Sequence, residues 1–352
     1  MGSNLRTWFQ FLWRYGKHIN WKFYPKLFAI TFMVCLYAPV RWWERLRYDR
    51  KICETEVKSP VFVLGHQRSG TSYLQYLLGR DPQFGYMSVK ESFMPWIYLT
   101  AKRHLEWMLG RSIPDKRPMD NLRLGLDLPT EPEYALGNMT VSTMLAGYMI
   151  PSQLKTVFRK TVLFEDEMAK KEWKAALKYS MQKLTFLHKG KRILNKAPED
   201  LGRVKEILEV FPDAKFIHIY RDPYRVYFST ERLYKITLPL VALEYVSEEV
   251  VKDFIIYVYR ENFNRYFETK KQIPEGNLAE IRYEEFIGNE MEVLRKAYQT
   301  LGLNFDAAES HIKAEVKSYE GYQTNKYEYD PERMEEIYAA WKPVFEELDY
   351  SK

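Results

Sequence analysis

The sequence predicts an α/β protein in which a central, mostly parallel sheet is flanked by helices. The first observation is the stretch Pro60–Leu78, which reads as a strand, a glycine loop and a helix in direct succession. The second is a pair of apolar runs, Arg192–Asn195 and Lys215–Tyr220, separated by a helical pattern over Gly202–Phe211. Because parallel neighbours need a crossover connection, this order of strand, helix and strand favours parallel pairing. A fourth strand is predicted over Leu278–Tyr283.

The Pro60–Leu78 stretch, PVFVLGHQRSGTSYLQYLL, has the layout of a phosphate-binding loop. Val61–Leu64 is a short apolar run typical of a central strand, and three leucines recur at helical spacing after the loop. Gly65 and Gly70 bracket the loop. Backbone N–H groups and a helix N-terminus are therefore expected to converge on an anion.

The loop departs from the nucleotide-binding pattern GxxxxGK[ST] because Thr71 stands where the lysine belongs. Arg68 is the cation that the loop retains, and a guanidinium binds phosphate or sulfate through two hydrogen bonds. The loop is therefore predicted to bind a phosphate-like group without serving an ordinary NTPase.

Composition and charge narrow the class of protein. The 352 residues, 46% apolar and 28% charged, suffice for one large domain or a domain with appendages. Cys35 and Cys53 provide neither a disulfide framework nor a metal-ligand cluster, which fits the cytoplasm and predicts no metal. The net charge is +6, and residues 1–60 alone carry eleven Lys or Arg against four Asp or Glu. Because this basic excess lies in the amino-terminal region, nucleic-acid binding is not predicted.

Residues 1–57 are predicted to form a basic, Trp-rich helical arm, and residues 58–352 the catalytic domain. Five of the nine tryptophans lie around the apolar run Leu27–Val40. Basic flanks and interfacial tryptophans are typical of a segment that lies on an anionic membrane surface. The run is shorter than the roughly 20 residues that span a bilayer, and Pro39 interrupts it. Peripheral contact with the inner face of the membrane is predicted, and a helix packed on the catalytic domain is the alternative.

The segment Asp81–Trp96 is predicted to be irregular, with breakers at Pro82 and Gly85, and it carries Glu91. A carboxylate that returns near the loop is a candidate catalytic base. Glu131 lies near the start of a later helical pattern, as does Glu133, where acids stabilise the helix dipole. For these two acids a structural and a catalytic role both stay open. Further helices are predicted over Asp166–Leu187, Glu248–Lys271, Glu290–Leu301 and Pro331–Phe345.

Two of the predicted strands run into a cation, Lys196 in one case and Arg221 in the other. Ligands of open α/β sheets bind beyond the carboxyl ends of the strands, where both side chains are expected. After the second cation, Asp222 can cap a helix that Pro223 opens, and Ser229 lies in its early turns.

Four stretches of the chain are considered together, in this order: GHQRSGTSYL at 65–74, LNKAPED at 194–200, FPDAKFIHIYRDPYRVYFST at 211–230 and RYEEF at 282–286. Together they resemble the motifs of sulfotransferases that use 3′-phosphoadenosine 5′-phosphosulfate (PAPS). The resemblance covers residues 58 to 345 and is nearest to a branch with a GHxRSGTT loop found in many bacteria. It implies a P-loop-like sulfotransferase fold, PAPS as cosubstrate and no metal.

The resemblance also implies how the donor is bound. Arg221 and Ser229, eight residues apart, match the family's 3′-phosphate site. Lys196 matches a lysine that helps to stabilise the transferring group in the related tyrosylprotein enzymes. The 5′-phosphosulfate site is the first loop, which here comprises Arg68, Ser69, Gly70, Thr71 and Ser72.

Glu91 is the implied base, because the tyrosylprotein and heparan enzymes carry a glutamate some twenty residues after the loop cation. Glu91 lies 23 residues after Arg68. It is expected to accept the hydroxyl proton while Arg68 and Lys196 stabilise charge on the sulfuryl oxygens. The rival bases are Glu131, Glu133 and His66.

The sequence departs from the family pattern in three places, of which Gln67, where many relatives have a loop proline, is expected to be tolerated. Cytosolic animal enzymes place a catalytic histidine two residues after the corresponding lysine, where this chain has Pro198. Their carboxy-terminal arginine-lysine-glycine segment is not evident here, and Lys326, in YEGYQTNKY, is the predicted substitute.

The predicted reaction is in-line transfer of a sulfuryl group to a hydroxyl. An aromatic content of 16% and the apolar stretch Phe93–Leu99 beside the predicted base favour a hydrophobic alcohol, such as a sterol or lipid. Carbohydrate and peptide acceptors stay open. Two other classes also stay open, namely a P-loop kinase or NTPase and a non-catalytic nucleotide binder.

Overall fold

The computed structural model describes residues 2–110, 113–117, 119–120, 122–321, 327 and 329–352. Within these residues the chain forms a five-stranded sheet with the order β2-β3-β1-β4-β5, and every neighbouring pair is parallel. The strands are β1 (Val61–Leu64), β2 (Phe84–Tyr86), β3 (Arg192–Lys196), β4 (Lys215–Tyr220) and β5 (Leu278–Arg282).

Helices precede, connect and follow the strands. In chain order they are α1 (Leu5–Tyr15), α2 (Tyr24–Leu36), α3 (Ala38–Cys53), α4 (Thr71–Leu78), α5 (Val89–Phe93), α6 (Lys102–Leu109), α7 (Pro132–Met139), α8 (Leu145–Met149), α9 (Leu154–Thr161), α10 (Glu167–Leu187), α11 (Val204–Val210), α12 (Pro223–Val241), α13 (Glu248–Thr269), α14 (Tyr283–Phe286), α15 (Glu290–Thr300), α16 (Asp306–Lys317) and α17 (Pro331–Glu347). Short 3₁₀ turns lie at Gly16–His18, Trp21–Phe23, Pro151–Gln153, Pro198–Gly202 and Lys270–Gln272.

The chain divides into two compact units, which are described separately. The sheet unit comprises residues 58–86, 191–234 and 252–352. The arm unit comprises residues 1–57, 87–190 and 235–251. The chain first passes from one unit to the other between Val57 and Lys58.

The core of the sheet unit lies on both faces of the sheet. On one face Val61 and Val63 join a buried cluster with α4, α15 and α16. On the other face Phe62 packs against Phe216, with ring centroids 5.8 Å apart. Because both faces of a parallel sheet are covered, its strands read as unbroken apolar runs in the sequence. The four predicted strands could therefore be recognised in the sequence, and they are confirmed to within one residue at each end.

The edge strand β2 corrects the sequence prediction, which treated Asp81–Trp96 as irregular. β2 is three residues long and pairs with β3 through Phe84 and Arg192. A strand this short shows no period, and its central residue, Gly85, is typical of a turn. The pairing with β3 therefore decides its structure.

In the arm unit, α3 packs against α10 around a buried ion pair. Lys183 Nζ donates hydrogen bonds to Glu44 Oε1 at 2.5 Å and to the Pro95 carbonyl at 2.6 Å. The second Glu44 oxygen accepts the Thr100 N–H at 2.7 Å. These contacts tie residues of the predicted arm to the segment that follows α5.

No single helix among the described residues has both the length and the apolar composition needed to cross a bilayer. The segments Trp21–Leu36 and Ala38–Cys53 pass that test only as a pair bent by 40°. Pro39 lies in the first turn of α3, directly after this bend.

Candidate active site

The loop between β1 and α4 depends on two glycines. Gly70 has φ 97° and immediately precedes α4. A Cβ there would lie 2.5 Å from the Tyr283 ring, and a Cβ on Gly65 would lie 2.4 Å from the Ile219 carbonyl oxygen. Side chains larger than hydrogen do not fit at either position, so these contacts require glycine at both ends of the loop.

Arg68 reaches from this loop to Ser229 on α12. Its Nε donates a hydrogen bond to Ser229 Oγ at 2.8 Å, although the two residues are 161 positions apart. Arg68 itself has φ 70°, an uncommon conformation for a residue with a side chain. The structure therefore brings together one residue predicted for the phosphosulfate and one predicted for the 3′-phosphate.

Tyr327 is a member of this cluster that the sequence did not single out. Its hydroxyl donates to Ser229 Oγ at 3.0 Å. The only signal was its position directly after Lys326 in YEGYQTNKY. Lys326 itself lies outside the described residues.

Lys196 is the last residue of β3 and is buried. Its Nζ donates to Ser72 Oγ in the first turn of α4 at 3.4 Å. β3 pairs with β1 with Val63 opposite Lys196, which places the lysine at the end of the strand that feeds the loop. Ser69 and Thr71, the other predicted loop side chains, are buried.

Arg221 follows β4 directly and stacks on Tyr283, with its guanidinium carbon 3.8 Å from the ring centroid. Its Nε is buried and has no hydrogen-bond partner among the residues that the structure describes. A buried donor of this kind is rare and suits an oxyanion ligand. Asp222 caps α12, because its Oδ1 accepts the Arg225 N–H at 2.7 Å.

Tyr283, from the RYEEF motif, supports both parts of the donor site. Its ring lies against Gly70 on one side of the site and under Arg221 on the other. The sequence analysis assigned it no role, because neither contact is visible from a tyrosine at the end of a strand. The cations and hydroxyls of the sheet unit fit a ligand with two anionic groups, as PAPS has.

Glu91 lies in the arm unit, in the first turn of α5. Its Oε2 accepts hydrogen bonds from the Ser88 N–H at 2.9 Å and from the Ser88 hydroxyl, which forms a capping box. Burial raises the pKa of the Glu91 carboxyl, although the Ser88 hydroxyl and the Lys90 charge act in the opposite direction. Oε1 takes part in neither of these hydrogen bonds.

The rival bases have different surroundings. Glu133 is buried, and its Oε1 accepts the Met144 N–H at 2.9 Å, a structural role. Glu131 is the residue before α7, but its side chain does not cap that helix. His66, in the sheet unit, is buried against Tyr259, and burial lowers its pKa to about 4. A histidine with so low a pKa is a weak base near neutral pH.

Comparisons with known proteins identify the family of the chain. Residues 60–307 match the model of the Sulfotransferase family. The chain belongs to the sulfotransferase family. This sulfotransferase is 27% identical over 363 aligned positions to the omega-hydroxy-beta-dihydromenaquinone-9 sulfotransferase Stf3 of Mycobacterium bovis, with all of this chain and 91% of that protein covered.

Two solved structures share its fold. Sulfotransferase STF9 of Mycobacterium avium is 18% identical with a TM-score of 0.66, and 88% of this chain and 82% of that chain are covered. Sulfotransferase STF1 of Mycobacterium tuberculosis is 15% identical with a TM-score of 0.63, and 85% and 81% are covered. The predicted α/β sulfotransferase fold and the prediction of a sulfotransferase enzyme are confirmed, and the roles of single residues stay predictions.

Proposed function

We propose that this sulfotransferase transfers the sulfuryl group of PAPS, in line, to the hydroxyl of a hydrophobic, lipid-like alcohol. The observation that carries the donor assignment is the cluster in the sheet unit, where Arg68 contacts Ser229 and the buried Nε of Arg221 has no hydrogen-bond partner in the described part of the chain. Both features suit a ligand with anionic groups at two places.

The loop and Lys196 are proposed to bind the phosphosulfate of the donor. The backbone N–H groups before α4 supply donors, and the Lys196 contact to Ser72 keeps the cation beside the loop. Arg221 and Ser229 bind the 3′-phosphate in this proposal, with Lys326 as a further cation. The Arg68 contact to Ser229 then couples the two sites.

In the transfer, the acceptor oxygen forms a bond to sulfur while the bond from sulfur to the phosphate oxygen breaks. Glu91 is proposed to accept the proton of the acceptor hydroxyl, for which a pKa raised by burial makes it a stronger base. Arg68 and Lys196 stabilise the charge on the sulfuryl oxygens and on the departing phosphate. The second product is 3′,5′-diphosphoadenosine.

The acceptor assignment is supported by a pocket and by a relative. The arm unit holds a pocket of about 600 Å³ whose lining mixes apolar side chains, such as Trp42 and Trp96, with charged ones, such as Arg41 and Glu172. Trp96 is five residues beyond Glu91. Stf3 is named for a hydroxylated menaquinone, which is a lipid. The arm of residues 1–57 is proposed to hold the enzyme at the cytoplasmic face of the membrane, where such an acceptor dissolves.

A thermal-shift titration tests the donor site. The ligands are 3′,5′-diphosphoadenosine and ATP, and the proteins are the wild type, Arg221→Ala and a control, Lys296→Ala, which removes an exposed cation on α15. The diphosphate is expected to raise the Tm of the wild type and of the control as its concentration exceeds Kd, and not that of Arg221→Ala. A shift with ATP alone, or an equal shift in Arg221→Ala, would contradict the proposal.

A further inference from the structure

The exposed face of α2 contains no charged residue. The exposed positions of this helix are Tyr24, Pro25, Phe28, Ala29, Phe32, Cys35 and Leu36. Four of them form an apolar stripe at a spacing of four residues, with exposed fractions between 47% and 75%. The members of this α2 stripe are Tyr24, Phe28, Phe32 and Leu36. A helix face of this composition is unusual on a protein surface that meets only water.

The neighbouring helices continue the exposed apolar surface. Beyond the bend, Trp42, Trp43 and Leu46 on the first turns of α3 are each more than half exposed. On α1, Phe9 and Trp13 lie four residues apart and are also exposed. The tryptophans therefore flank the α2 stripe in the sequence, and amphipathic rings of this kind are enriched where a membrane meets water.

The exposed charges of residues 2–53 have one sign, and the first exposed acid after them, Glu54, pairs with Arg50. Lys17 and Lys22 precede α2 and are exposed, and the exposed cations of α3 follow it. Those cations are Arg45, Arg47, Arg50 and Lys51. Across residues 2–53, all of which the structure describes, no acidic side chain is exposed, since Glu44 is buried and Asp49 is half-buried. The surface therefore complements an anionic partner.

We propose that the α2 stripe inserts into the surface of an anionic phospholipid bilayer, with α2 lying in the plane of the membrane. The inference rests on the proposed function in one respect: a membrane-bound acceptor would explain why the enzyme binds a membrane. The evidence for membrane binding itself is the exposed surface alone. The 13 residues of α2 span about 20 Å, less than the roughly 30 Å of a hydrocarbon core, so α2 lies in the interface. A second copy of the chain is a poorer occupant, because it would bring the same cations together.

Vesicle flotation tests the proposal. Three proteins are mixed with phosphatidylcholine vesicles that contain either no phosphatidylglycerol or about a third of it. They are the wild type, the double variant Phe28→Ser/Phe32→Ser and the control Met168→Ser, which changes an exposed apolar residue on α10. The wild type and the control are expected to float with the anionic vesicles, and less in high salt. The double variant is expected to bind at least about tenfold more weakly, because it lacks the two phenylalanine rings that enter the membrane in the wild type.

Two outcomes would overturn the proposal. One is equal binding by the double variant and the wild type. The other is no binding of the wild type to the anionic vesicles; a dimer, measured by light scattering, that the double variant dissociates would then assign the α2 stripe to contacts between copies of the chain. The assay contains neither donor nor acceptor, and the diphosphate should still raise the Tm of the double variant. Failure here therefore leaves the proposed reaction standing, and failure of the donor test leaves membrane binding standing.

Discussion

Glu91, the proposed base, also caps a helix. Its Oε2 accepts the N–H and the hydroxyl of Ser88, which stabilises the start of α5. Its pKa is raised because the carboxyl is buried. The capping contacts hold the carboxylate in one orientation, and orientation of this kind is what a general base needs.

Glu91→Gln is expected to lower kcat by about 10²- to 10⁴-fold. The amide oxygen can still accept from the Ser88 N–H, so the cap and the fold should persist. The measurement is single-turnover sulfuryl transfer, with the thermal shift by the diphosphate as the check that donor binding is unchanged. Glu131→Gln is the matched control and should retain activity, whereas normal turnover by Glu91→Gln would remove Glu91 from the mechanism.

The pH profile of the same enzymes separates the rival bases. The ionised carboxylate accepts the proton, so kcat/KM of the wild type should rise with pH through a pKa above the ordinary 4.5. This limb should be absent in Glu91→Gln. A limb at about 4 that persists in the variant would indicate His66, whose neutral form is the base.

At the scale of the element, the loop between β1 and α4 is shaped by contacts with β4 and α14. The ring of Tyr283 fills the space beside Gly70, and the Ile219 backbone fills the space beside Gly65. The guanidinium group of Arg221 stacks on the same tyrosine ring. A change in the loop is therefore transmitted to the proposed 3′-phosphate site through one aromatic side chain.

Gly70→Ala is expected to raise the donor KM by about tenfold or more, because the new Cβ displaces Tyr283 and with it Arg221. The residue also has φ 97°, so a loss of about 1–3 kcal/mol in the free energy of unfolding is expected. Gly288→Ala is the matched control, since Gly288 has φ 85° but, apart from its chain neighbours, no described residue has an atom within 4 Å of the added Cβ. It should lose stability without changing the donor KM, and equal effects on KM would show that the collision with Tyr283 is unimportant.

At the scale of the whole molecule, the amino-terminal helices have two different faces. The buried face of α3 packs on α10 through Glu44, and Tyr179 donates to Asp49 at 2.6 Å. The exposed face carries the tryptophans and the cations. The two interpretations that the sequence left open, packing and membrane contact, therefore concern opposite faces of the same helix.

Lys183→Met is expected to lower the free energy of unfolding by about 3–5 kcal/mol, because it leaves the Glu44 carboxylate buried without its cation. Lys342→Met removes an exposed partner of Glu346 on α17 and should cost less than about 1 kcal/mol. Chemical denaturation of both variants gives the comparison. Losses of equal size would show that the buried pair does not hold the arm unit together.

The sequence by itself determined the features that depend on neighbouring residues. The strands β1, β3, β4 and β5 were visible because buried parallel strands are continuous apolar runs. The loop was visible because its glycines and the following helix are local, as was the cap at Asp222. The order of the motifs indicated the sulfotransferase family, which the match over residues 60–307 confirmed.

Only the tertiary structure decided the features that depend on distant residues. β2 is too short to have a period, and its pairing with β3 defines it. The contacts of Tyr327 with Ser229 and of Tyr283 with Arg221 join segments about 60 to 100 positions apart, and no local pattern encodes them. The α2 stripe is apolar in the sequence, but whether such residues are core or surface depends on what packs against them, and the described part of the arm unit leaves them exposed.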